Sequence, residues 1–390
     1  MFYTLLVVYI LLILVSLTSL SKEKNIVYIL STLVLSSIGF FFDPIKANLI
    51  GNYLDSYRIF QELDFYRMFG WNAGKTLLYQ SYHYLGNYDD LPLIKLYWYL
   101  ISRLSNNGWI AFVNTFLIFT LMFLAINKLS KALGLNNVQI TSAFILFILI
   151  EDYSRTIANI RMPLAMTIFT TALIYEVVGK ESKKKAILCW IGYISTMFLH
   201  NAMFMFVLIR IIAVFYKNKL YKKIVLIIAF TFPVLSSVLI GFFVKYLPNV
   251  TVNKIYYTLD AGLNGLHGFL TIGSYALIII IRIVCTGILL YKLVLKYNAS
   301  SHYSYGLLIF ITEILFVLSI SSTVLSWNLS NRLSLFLLNL IPLLLLLDKY
   351  LDNSSSSVFK GRWYSFFSWS IVTASLMIYF GTHIYQSLVF

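Results

Sequence analysis

Arg155 and Arg161 stand six residues apart, and Arg161 directly precedes Met162-Pro163. Proline is favoured in the first turn of a helix, so Arg161 is expected where a loop becomes a helix. That end of a helix carries partial positive charge and free N–H groups. Arg332 follows Asn328-Leu329-Ser330-Asn331 and opens a later apolar run in the same way. His200, with Asn201, forms the polar centre of the apolar stretch 186–215. Arginine's planar fork donates two parallel hydrogen bonds and sheds water more readily than an ammonium, which suits a phosphate or diphosphate. A histidine beside such a group can take a proton from an attacking hydroxyl or hold a phosphate oxygen. Other readings compete. An arginine at a helix end can snorkel to lipid headgroups or pair with Asp55, Asp64 or Asp152, and a turn histidine can be capped by Asn201.

Such chemistry needs these groups at one face, and hydropathy supplies the elements that put them there. The chain of 390 residues is 60% hydrophobic and 12% charged, with a mean hydropathy of +0.82. Soluble domains are about a quarter charged. The apolar residues fall in runs of roughly 16–22, near the ~20 needed to span a bilayer, and they lack the period-2 alternation of a β-barrel. Twelve runs read as helical spans: Phe2–Leu20, Ile26–Phe42, Trp109–Ile126, Val138–Ile150 (continuing into the next loop), Met162–Val178, Ala186–Leu199, Ala202–Phe215, Ile224–Val244, Phe269–Leu290, Tyr305–Leu325, Leu333–Leu347 and Tyr364–Phe380. The run 186–215 is too long for one span, so it is divided at His200. Met1-Phe2-Tyr3 lacks a basic leader region, so the first run is read as a retained span.

Charge orients the spans. Alternate loops carry Lys22 and Lys24; Lys128 and Lys131; Lys180 and Lys183–Lys185; Lys217, Lys219, Lys222 and Lys223; Lys292 and Lys296; and Lys349, Lys360 and Arg362. By the positive-inside rule this side is cytoplasmic, so both termini are expected outside. The net charge of +15 is then mostly topology, and no nucleic acid is expected. The outer loops hold Arg58, Arg67, Arg103, Arg155, Arg161 and Arg332. Topology requires positive charge inside and gives no reason to place arginine outside, so the asymmetry points to an anionic ligand such as a lipid diphosphate. The chain thus reads as one all-α transmembrane domain, 1–390. A large aromatic outer loop, 43–108, is expected to hold helices lying at the membrane interface.

Few charges fall inside spans, where each costs ~3 kcal/mol. Glu313 is placed near mid-depth, as a functional group or half of a structural pair, and Arg282 nearer the cytoplasmic end. Arg210 is expected to snorkel to the cytoplasmic surface. Cys189 and Cys285 lie within apolar runs and imply neither disulfide nor metal. The sequence has no Walker loop, dinucleotide fingerprint, Cys/His metal spacing or Asp-x-Asp pair. The expectation is a donor delivered by the membrane, with no metal and no cofactor.

Four stretches carry a resemblance to the EpsG/Wzy-type bacterial polysaccharide polymerases. Gly51-Asn52-Tyr53-Leu54-Asp55-Ser56-Tyr57 resembles the opening of that family's first large outer loop. Arg161-Met162-Pro163-Leu164-Ala165 resembles its Arg-x-x-x-Ala span start. Phe198-Leu199-His200-Asn201-Ala202 is similar to its Phe-x-His turn, and Arg332-Leu333-Ser334-Leu335-Phe336 to its late arginine-led span. Asn52 and Pro163 depart from the family's usual residues. The resemblance implies a GT-C-like fold in the bacterial cytoplasmic membrane. It implies polymerisation of undecaprenyl-diphosphate-linked oligosaccharide units at the outer face, with a flippase and a chain-length regulator as pathway partners. Arg161 would hold the diphosphate and stabilise the leaving group. His200 would be base or phosphate ligand, Arg332 a further ligand, and Asp55, from the matched opening stretch, a substrate contact; the outer arginine set, independently of the resemblance, offers Arg155 and Arg58 as further substrate contacts. A lipid-linked oligosaccharide flippase is the rival reading, although charge spread through several spans would then be expected. Another polyprenyl-dependent glycosyltransferase or a ligase would use the same groups.

Overall fold

The computed structural model describes residues 2–44, 55–76, 80, 88, 91–151, 153–178, 182–243, 274–299, 305–323 and 327–354. Among them every regular element is helical. The helices are α1 (Phe2–Leu17), α2 (Lys24–Phe40), α3 (Asp55–Phe69), α4 (Pro92–Ser102), α5 (Trp109–Ala132), α6 (Asn137–Ile150), α7 (Tyr153–Ala158), α8 (Arg161–Val177), α9 (Lys183–Leu199), α10 (Met203–Ile212), α11 (Lys219–Phe243), α12 (Ser274–Ala299), α13 (Gly306–Thr323) and α14 (Trp327–Ser354). A helix covers most or all of each of the first eleven apolar runs; the twelfth, Tyr364–Phe380, lies outside the described residues. Three helices are long and apolar enough to cross a membrane, over Trp109–Ala132, Gly306–Thr323 and Leu329–Leu351. Shorter apolar helices cover Thr4–Leu17, Lys24–Phe40, Asn137–Ile150 and Met203–Phe215.

Boundaries differ from expectation at several helix ends: α12 runs nine residues past Leu290, and α14 spans Trp327–Ser354 where Leu333–Leu347 was expected. α6 does not continue into the next loop: it stops at Ile150, because Glu151 adopts an extended backbone, φ −67° and ψ 129°. α5 runs six residues past Ile126, through Lys128 and Lys131. The break at His200 is present. Its φ of −153° and ψ of 119° end α9, and α10 begins at Met203.

The described residues form two compact units, one within 2–207 and one within 208–354. In the first, α2 and α5 lie antiparallel. Lys24 donates to Asn127 at 3.0 Å at one end, Tyr28 stacks on Phe123 at 4.2 Å midway, and Phe40 meets Trp109 at 5.1 Å at the other. The loop 43–108 therefore leaves and returns at one end of this pair. α7 packs there too: the Tyr153 hydroxyl donates to the Leu35 carbonyl, and Asn114 donates to the Thr156 carbonyl at 2.7 Å. α8 runs parallel to α5, with Thr171 donating to the Leu121 carbonyl at 3.1 Å. One end of this unit therefore gathers the arginine-bearing segments, and the opposite end gathers Lys24, Lys128, Lys131 and Lys183–Lys185.

In the second unit α14 is the core helix. Leu333, Phe336, Leu337, Leu340, Ile341, Leu343, Leu344 and Leu347 are all fully buried, as befits a helix apolar on every side. Serines pair α13 with α14: Ser330 Oγ donates to the Ser319 carbonyl at 3.0 Å. Glu313 is half of a structural pair, with Lys222 Nζ at 3.0 Å. Arg282 is buried and donates to Asn331 Oδ1 at 3.2 Å. Arg210 corrects an expectation. Only 6% of it is exposed, so it does not reach out to a surface from α10.

Candidate functional site

The site grows from the loop 43–108, whose helices α3 and α4 are built on apolar stripes. α3 buries Ile59, Glu62, Leu63 and Tyr66, a spacing of three and four that marks one face of a helix. Gly70 ends it with φ of +68°, a left-handed conformation suited to glycine. α4 starts on Pro92 and buries Ile94, Lys95, Trp98, Ile101 and Ser102. The Lys95 ammonium lies 5.2 Å from the Trp71 ring.

The loop is stitched to the segment before α5. Arg67 binds Asp64 Oδ1 at 2.6 Å and Asn107 Oδ1 at 2.6 Å, and Asn107 donates to the Phe60 carbonyl at 3.1 Å. Arg103 donates to the Tyr66 carbonyl and lies 4.7 Å from the Tyr99 ring. Arg67 and Arg103 are thus structural arginines, and for Arg67 the competing pairing with Asp64 is the observed one.

Arg58 and Arg161 belong to a different arrangement, centred on Glu62 and Tyr88. Glu62 is completely buried. The Tyr88 hydroxyl donates to its two oxygens, at 2.7 and 3.0 Å, and Trp98 Nε1 donates at 3.0 Å. Arg58 Nε lies 3.4 Å from Glu62 Oε1, one helical turn earlier. The Arg161 guanidinium sits 5.4 Å from the centre of the Tyr88 ring. Burial, with the Glu62 charge, pushes the Tyr88 phenol well above its ordinary range, while Arg161 and Arg58 pull the other way. Tyr88 therefore stays protonated and serves as a donor. Two arginines, 103 residues apart in sequence, thereby converge on the hydrogen-bonded Glu62–Tyr88 pair, Arg58 at Glu62 and Arg161 at Tyr88.

Arg161 is the first residue of α8 and is half-buried. Helix register brings His200 to its level. α8 and α9 are antiparallel, with Lys185 Nζ on the Val178 carbonyl at 2.9 Å, Phe169 against Tyr193 at 4.8 Å, and Ala172 beside Gly192. Carried along equal helical rises, this pairing sets Arg161 beside the turn at His200–Asn201. The His200 ring turns back on its own hairpin, where Nδ1 accepts the Ala202 N–H at 3.2 Å. In the neutral ring the proton then sits on Nε2, which is a donor.

The remaining expected site residues are distributed as follows. Asp55 is the first residue of α3, and Arg155 is carried by α7. Arg332 belongs to the second unit, on α14 beside Asn331. The structure therefore joins Arg58 with Arg161 and brings the His200 turn level with them. Glu62 and Tyr88 escaped the sequence reading, although one signal was visible: Glu62 is a charged residue occupying a stripe position between Ile59 and Leu63. Among the described residues no three His, Cys, Asp or Glu side chains come together as a metal would need. No family model, curated protein or solved structure matches the chain.

Proposed function

We propose that this protein joins lipid-diphosphate-linked oligosaccharide units into a polysaccharide, by glycosyl transfer at the outer face of a bacterial cytoplasmic membrane. The observation that carries the reading is the convergence of Arg58 and Arg161 on the Glu62–Tyr88 pair at the start of α8. It lies at the end of the first unit opposite Lys24, Lys128, Lys131 and Lys183–Lys185. The twelve-span, GT-C-like architecture with both termini outside belongs to the same proposal. The helices over the first eleven apolar runs and the lysine-rich alternate loops support it.

The chemistry follows from charge. A hydroxyl oxygen of the incoming unit attacks C1 of the sugar at the reducing end of the growing chain. The bond from C1 to the phosphate oxygen breaks, and the diphosphate leaves with the electron pair. The hydroxyl proton passes to the departing diphosphate, whose oxygen becomes more basic as the bond opens. Negative charge thus builds on the leaving group, and fixed cations stabilise it more in the transition state than in the ground state. Arg161 meets that charge with its forked donors and the N-terminus of α8 behind it. Arg58 adds a second positive charge, and Asp55 and Arg155, carried by α3 and α7, are the proposed substrate contacts. For His200 the Ala202 contact supports the role of phosphate ligand through Nε2–H rather than that of base.

The test is the length and sidedness of lipid-linked glycan in cells lacking the protein. Single repeat units accumulating on the lipid carrier at the outer face are the expected result. The same units trapped facing the cytoplasm would replace this reading with that of a flippase.

A further inference from the structure

Glu62 is completely buried although it lies in the most polar stretch of the chain. A buried carboxylate is costly unless its oxygens are satisfied. Here they accept from Tyr88 and Trp98 and face Arg58, so α3, α4 and the segment carrying Tyr88 meet on one group. The Tyr88 ring held this way is the ring on which the Arg161 guanidinium rests. Glu62 can act on a bound anion in two ways, of opposite sign. Its own negative charge, close to Arg58 and to the ring under Arg161, repels the anion. Its hydrogen bonds fix the aromatic face that orients Arg161, and fixed geometry strengthens binding.

We infer that Glu62 is a positioning residue for the anion site, fixing Arg161 through Tyr88, and that this effect outweighs the repulsion from its own charge. The inference rests on reading the site as one for a diphosphate. It assigns no proton transfer to Glu62, whose oxygens are engaged by neutral donors.

The experiment is calorimetric binding of inorganic pyrophosphate to the purified full chain in nanodiscs. It compares the wild type, Glu62→Gln, Tyr88→Phe and the double variant. Each single change is expected to weaken binding about tenfold, as a buried donor or acceptor loses its partner. The double variant should bind within about twofold of either single variant, because the two residues act as one unit. Unchanged or tighter binding by Glu62→Gln would mean that its charge dominates, and would overturn the inference. Additive losses would also overturn it, since the two residues would then act separately. Should Glu62→Gln not yield folded protein, Tyr88→Phe carries the test alone. It keeps the ring and loses only the hydroxyl, and unchanged affinity would sink the inference. A wild-type protein that binds no pyrophosphate would instead overturn the diphosphate reading, and this inference with it.

Discussion

Two buried carboxylates, Glu62 in the first unit and Asp348 in the second, are satisfied in opposite ways. Asp348 is 1% exposed and is held by two lysines, Lys296 Nζ at 2.5 Å and Lys292 Nζ at 3.0 Å. Glu62 takes hydrogen bonds from a phenol and an indole, with Arg58 at 3.4 Å. Around Asp348 the ammonium groups are spent on the carboxylate. Around Glu62 much of the work is done by neutral donors, and Arg161 lies against the ring of one of them. Two lysines hold the carboxylate in one region, while arginine and aromatic side chains gather around it in the other.

Changes in each region should therefore fail differently. Arg161→Lys is expected to have the largest effect, a loss of polymer output of roughly a thousandfold. Charge is kept, but the fork that meets developing negative charge is gone. Glycan length measured at equal membrane levels checks this, and full activity would erase the distinction drawn above. Asp348→Asn should cost about 2 kcal/mol of stability, since it leaves two lysines without their counter-charge. Thermal unfolding in detergent reads the loss, and activity per folded molecule should not change. A fall in that specific activity would make Asp348 part of the functional machinery.

A smaller effect is expected at His200. The side-chain amide of His200→Gln can still donate, so output should fall about tenfold, and His200→Ala should fall further. Equal losses in the two variants would return His200 to the role of base. The smallest effect belongs to Arg67→Ala. Arg67 is paired with Asp64 and partly exposed, so stability should shift by about 1 kcal/mol or less, with glycan length unaltered. A shortened glycan would extend the anion site to the arginines assigned here to structure.

Helix positions were legible in sequence because burial in a bilayer or a core demands long apolar runs. The break at His200 was visible as a polar pair inside a run too long for one span. The meeting of Arg58 with Arg161 was not. It depends on how the outer loop folds back, and there the sequence alternates aromatic and polar residues without a dominant period. Glu62 and Tyr88 were missed because a buried acid reads as a surface acid until its donors are known. Tyr88 and Trp98 come from separate segments that only the folded loop brings together. Of the acids offered as partners, Asp55, Asp64 and Asp152, Asp64 does pair with Arg67, while Arg58 pairs with Glu62, one helical turn away on the buried face of α3.

A Cβ added at Gly108 would lie 2.2 Å from the Phe40 carbonyl oxygen. The chain can pass that point only because glycine has no side chain there. The two ends of the intervening stretch are therefore pinned almost atom to atom, like the neck of a bag drawn shut. This neck and the Tyr88–Arg161 contact both fix the stretch to the helices. A variant with the stretch replaced, but with Phe40 and Gly108 kept, should lose polymer output because Arg58, Glu62 and Tyr88 leave with it, whereas Gly108→Val should disturb the helices themselves.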